Sequence, residues 1–148
     1  MESIKIMLNL LRKTSVAVIL SVATLAAGCG GLSYEVKGKP PATGAIARID
    51  GKTQEDTKTT RLTIEVEFLQ PPADLDPKGT GFVVWFRKNN ASQWSRLGNL
   101  DYNESSRKGT LKDFSVPELK FELAISVEGG DSAASPTTIV FTQLVSDD

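Results

Sequence analysis

Between Arg61 and Leu69 apolar and polar side chains alternate one for one. Leu62, Ile64, Val66 and Phe68 fall on one face, Thr63, Glu65 and Glu67 on the other. Successive side chains of a strand point to opposite faces of its sheet, so this period of two specifies a half-buried strand. An amphipathic helix would need apolar residues every three or four positions. The pattern returns between Lys120 and Glu128, where Phe121, Leu123, Ile125 and Val127 oppose a solvent-facing set of Glu122, Ala124, Ser126 and Glu128. From Gly81 to Lys88 both faces are apolar, Phe82, Val84 and Phe86 opposing Val83 and Trp85, which suits a central strand with Trp85 packed in the core. Ile139 to Leu144 predicts a last strand and Gly44 to Asp50 an early one, with weaker candidates at Trp94 to Leu100 and Gly109 to Phe114. Turn formers separate these runs: Pro71-Pro72, Pro77-Lys78-Gly79, Asn89-Asn90, Asn103 to Ser106, and Gly129-Gly130-Asp131. The expectation is an all-β fold, an antiparallel Ig-like β-sandwich of about seven or eight strands.

The first twenty-nine residues follow different rules. Lys5, Arg12 and Lys13 form a basic start, and Thr14 to Ala27 is an apolar run shorter than the ~20 residues a spanning helix needs. Small residues follow, ending in Cys29, the single cysteine of the chain. This is the plan of a cleaved N-terminal signal helix. Leu25-Ala26-Ala27-Gly28-Cys29 resembles the lipobox of bacterial lipoproteins, with Ala26 where leucine is commonest. The resemblance implies cleavage between Gly28 and Cys29, a thioether-linked diacylglyceryl group on Cys29, and acylation of the new amine. Several acyl chains, at ~0.8 kcal/mol per buried methylene, anchor a protein stably. Gly30, rather than aspartate, follows the cysteine, which by the same resemblance favours the outer membrane where the host has one. The expected organisation is a signal peptide over 1–28, a lipidated tether and first edge strand over 29–41, and the sandwich over 42–148.

Composition removes several function classes. Without histidine there is no Ser-His-Asp or Cys-His machinery and no His-ligated metal. One cysteine allows no intramolecular disulfide and no zinc finger. A net charge of -1 leaves no basic footprint for nucleic acid. No catalytic residue, metal or cofactor is therefore expected.

Four short stretches of the second half resemble the extracytoplasmic C-terminal domain of anti-sigma-K-type factors: Phe82-Val83-Val84-Trp85, Arg96-Leu97-Gly98, Ile125 to Gly130, and Ser135-Pro136-Thr137. That family commonly has proline after the glutamate, where this chain has Gly129. Its sigma-binding domain, with a His/Cys motif, has no counterpart before Cys29. The resemblance implies a sandwich in an extracytoplasmic setting, and an accessory role in envelope sensing, with no catalytic residue attached.

Other candidates have plainer explanations. Asp74 to Gly79 places acids at positions 1 and 3 and glycine at 6 of a calcium loop, but Lys78 occupies a ligand position and Trp85 stands at 12. These residues are read as turn formers. Glu65 and Glu67, ~7 Å apart on one strand face, have the spacing of a carboxylate pair and also the ordinary composition of a polar face. Asn90-Ala91-Ser92 and Asn103-Glu104-Ser105 match a glycosylation sequon and are read as chance. Trp94, across the Asn89-Asn90 turn from Trp85, is the candidate for a ligand-binding surface. The expected partners are the membrane, through acylated Cys29, and an envelope protein or a glycan; the leading function is a non-enzymatic, lipid-anchored envelope protein with a sandwich interaction domain.

Overall fold

The structure, a computed structural model, describes residues 31–147; the signal segment, Gly28 and Cys29 lie outside them. Nine strands and one helical turn follow in order: β1 Gly31–Lys37, β2 Ile46–Gln54, β3 Thr59–Glu67, α1 Pro72–Leu75, β4 Gly81–Arg87, β5 Ser95–Asn99, β6 Asp101–Asn103, β7 Lys108–Val116, β8 Phe121–Glu128 and β9 Thr138–Val145. All pairings are antiparallel and form two sheets, β1-β2-β3-β7-β6 and β5-β4-β8-β9. With β1 set aside, these are the ABED and C′CFG orders of an immunoglobulin-type sandwich. The all-β sandwich read from the alternation is the fold of the described residues.

The sheets meet through the inward faces of the alternating strands. Leu62, Ile64 and Val66 of β3, Phe82 and Val84 of β4, and Phe121, Leu123, Ile125 and Val127 of β8 are buried together in one core. Each such side chain contributes roughly 1.5–3 kcal/mol on leaving water. Polar clasps close one end. Thr60 Oγ1 donates to Glu118 O at 2.7 Å, tying β3 to the β7–β8 connection, and Tyr34 Oη of β1 donates to Ser146 O at 2.8 Å just past β9.

Several expectations need correction. The early strand runs from Ile46 to Gln54, later than Gly44–Asp50, and short β6 raises the count to nine. Phe68 does not continue the inward face of β3: its φ is +58°, and its side chain is 64% exposed. One residue in the left-handed region shifts the alternation by one, so Leu69 is buried instead. Finally, the outward residues of β8 do not all face solvent. Ala124, Ser126 and Glu128 are buried, because the segment 129–137 returns across them. Trp85 is buried as expected, but with Val83 and Ala124 on that outer face rather than between the sheets.

Candidate functional site

The outer face of the four-stranded sheet gathers the side chains with the richest chemistry. Trp85 and Arg87 point outward from β4, and Trp94 and Arg96 stand two apart beside and on β5. The chain therefore carries Trp-x-Arg twice, nine residues apart. The β4–β5 hairpin exchanges these pairs. The Arg87 guanidinium lies 4.4 Å from the Trp94 ring centroid, and the Arg96 guanidinium 5.9 Å from that of Trp85. The exchange follows from register: Trp85 pairs with Arg96 across a bulge that begins after Val84.

Each guanidinium is also held by acids and amides. Arg87 pairs with Glu122 at 2.7 Å. Arg96 reaches Asp131 Oδ1 at 3.3 Å and Asp131 O at 3.1 Å, and donates to Asn99 Oδ1. Behind them runs a buried polar line. Trp85 Nε1 donates to Ser126 Oγ at 2.8 Å, and Ser126 Oγ donates to Glu128 Oε1 at 2.6 Å. The Glu128 carboxylate also accepts Thr137 N–H at 2.8 Å and Thr137 Oγ1–H at 2.7 Å. A carboxylate buried with three donors is satisfied. It acts as a clasp that holds the 129–137 segment down.

This face has a closed half and an open half. The segment 129–137 covers one. On the other, a cleft of about 550 Å³ opens between the β4–β5 turn and β9, lined by Asn89, Asn90, Glu122, Thr142 and Leu144 among others. Amides, a hydroxyl, an acid and the Lys88 and Lys120 ammonium groups around an exposed leucine suit hydrogen bonding to a polar ligand.

The residues singled out from sequence are dispersed. Trp94 is half-buried beside the Val83, Trp85 and Ala124 cluster, with Arg87 over its ring, so a stacking ligand would compete with that guanidinium. Glu65 is exposed on the other sheet. Glu67 is paired with Lys108 at 3.2 Å and Arg48 at 3.2 Å, and the Lys108 ammonium holds its carboxyl below the ordinary range. Such a carboxylate is a poor proton donor. Asp76 accepts Thr138 Oγ1–H at 2.7 Å and Lys78 N–H at 2.9 Å, which fixes the turn after α1 and holds its carboxyl below the ordinary range too. Sequence reasoning missed Arg87, Arg96, Ser126 and Glu128. The repeated Trp-x-Arg was the available signal for the two arginines.

No family model, curated protein or solved structure matches this chain.

Proposed function

We propose that this chain is a non-enzymatic, lipid-anchored bacterial envelope protein whose sandwich works by binding. The observation that carries the reading is Cys29. The one thiol closes the small-residue run Ala26-Ala27-Gly28 that follows Leu25, with Gly30 alone separating it from the first strand. The side-chain chemistry of the sandwich supports binding over catalysis. Glu67, Glu122, Glu128 and Asp131 are each engaged by a structural partner, and no histidine exists to serve as a base. Metabolic labelling with a clickable fatty acid, followed by mass spectrometry of the mature N-terminus, tests the anchor. Label on Cys29, lost in Cys29→Ser with the thermal transition unchanged, supports it. An unmodified Cys29, or cleavage elsewhere, leaves a secreted domain and ends the reading. Without a thiolate there is no nucleophile of sufficient strength to accept the lipid.

A glycan or other polyhydroxylated polymer is the second reading. The open cleft that includes Glu122 of the Arg87–Glu122 pair favours it, since it groups the amides of Asn89, Asn90 and Gln143 with the Thr142 hydroxyl and the Lys88 and Lys120 ammonium groups. Titration of tryptophan fluorescence against a glycan panel tests it, and an unchanged spectrum throughout removes it. An accessory role in envelope sensing rests on the anti-sigma-K-type resemblance, and an adjacent sigma-factor operon would support it.

A further inference from the structure

We infer that the end of the sandwich at which β1 begins lies directly on the membrane surface, its turns in the lipid headgroup layer. The inference rests on acylation of Cys29 and adds an orientation to it. Gly30 is the sole residue between Cys29 and β1. A residue spans at most ~3.6 Å, so the lipid-bearing residue lies within about 7 Å of Gly31.

The rest of the domain cannot stay above that level. Gly31 pairs with Lys52, and β2 continues through Thr53 and Gln54 before the turn of residues 55–58. Two further strand residues advance ~7 Å, as far as the tether can reach back. With β1 upright, this turn extends as far beyond Gly31 as the two-residue tether can reach. Two other turns share that end. Thr60 of β3 binds Glu118 of the β7–β8 connection at 2.7 Å, and Lys88 of the β4–β5 turn approaches Glu118 at 3.9 Å. The chain after β9 joins them through Thr53 Oγ1 to Asp147 Oδ2 at 2.8 Å.

The chemistry of this end fits polar headgroups better than a charged lipid. Lys52, Lys58, Lys88 and Lys120 are offset by Glu55, Asp56, Glu118 and Asp147. Electrostatic attraction to an anionic leaflet needs an excess of cations, ~1 kcal/mol for each. The contact is therefore imposed by the short tether and is insensitive to salt. The opposite end, with the connections at 38–45, 68–80, 104–107 and 129–137, then projects outward and presents exposed Phe68.

The test uses the full chain, processed and acylated, in phosphatidylcholine vesicles doped with a lipid whose headgroup carries a nitroxide quencher. Once Cys29 is acylated, a new cysteine supplies the one free thiol for a fluorophore. Asp56→Cys and Asn90→Cys report the β1-start end, and Ser105→Cys and Ser132→Cys the other. Quenching at the first two should exceed that at the second two by about threefold or more, at low and high salt alike. Inserting about twenty Gly and Ser residues after Gly30, with a root-mean-square length of ~25 Å, should largely remove the difference. Equal quenching at the two ends, or a difference that survives the insertion, would overturn the orientation while an acylated mass leaves the anchor standing. A mass without acyl groups at Cys29 would overturn both.

Discussion

Trp85 of β4 and Ser126 of β8 are joined by a 2.8 Å hydrogen bond on the face of the sheet turned away from the core, where both are buried. The serine hydroxyl accepts from the indole and donates to the Glu128 carboxylate at 2.6 Å, so one small side chain satisfies two partners. Its size is misleading as a guide to its importance.

Ser126→Ala should cost about 2–3 kcal/mol, because it leaves the indole N–H unpaired in a buried site and withdraws one donor from a buried carboxylate. Ser33→Ala, at an exposed position of β1, should change stability by less than ~0.5 kcal/mol. Urea denaturation of the two variants checks the contrast. If the line from Trp85 to Glu128 acts as a unit, the Trp85→Phe and Ser126→Ala effects should be non-additive, with a coupling of ~0.5–3 kcal/mol in a double-mutant cycle.

Legibility divided along physical lines. Leu62, Ile64 and Val66, like Phe121 to Val127, could be read because their placement needs only the period of a strand and one core to face. Phe68 could not. A residue in the left-handed region breaks the alternation, and nothing in the local composition announces it. Ser126 and Glu128 look like a wet polar face in sequence, and their burial depends on a connection that folds back across them. The exchange between the two Trp-x-Arg pairs depends on a bulge in the β4–β5 register, which is a property of the hairpin and not of either pair.

Acid should destabilise the domain through Glu67. The Lys108 hydrogen bond and charge hold this carboxyl below its ordinary 4.5; Arg48 adds to them, and partial burial works against them. A group whose folded pKa is depressed stabilises the fold above its unfolded pKa, and that contribution is lost as pH falls through the folded value. Asp76, lowered from its ordinary 3.8 first by the Thr138 hydroxyl, acts in the same sense. Stability should thus fall as the pH drops below 4.5. Glu67→Gln should reduce that loss, as measured by urea midpoints at about pH 6 and about pH 3. A slope identical to wild type would show that Glu67 contributes nothing.

Two glycines two residues apart should respond oppositely to alanine. At Gly79 a Cβ would stand 2.5 Å from Pro72 O and 2.6 Å from Val127 Cγ1, between α1 and β8, where backbone would have to move. Gly79→Ala should cost about 1–3 kcal/mol. At Gly81, the first residue of β4, a Cβ meets nothing within 4 Å. Gly81→Ala should stabilise by ~0.4–1 kcal/mol, because it restricts the unfolded chain without crowding the folded one. Thermal midpoints of the pair decide the matter, and equal shifts would refute the packing described around α1.

Phe68 should tolerate loss of its ring better than any phenylalanine of the core. It is 64% exposed, and its φ of +58° is a conformation that costs an ordinary residue roughly 1–2 kcal/mol. Glycine adopts this region freely, although it adds entropy to the unfolded chain. Relief of strain outweighs that entropy when little packing is lost, so Phe68→Gly should raise stability by about 0.5–1 kcal/mol. Phe121→Ala, at a fully buried position of β8, should by contrast cost about 3–5 kcal/mol. Denaturation midpoints of both variants against wild type give the comparison. A Phe68→Gly protein that unfolds earlier than wild type would mean that the ring contributes packing its exposure does not reveal. A stabilised one would leave an exposed aromatic held at a local cost, at the end of the sandwich opposite the start of β1.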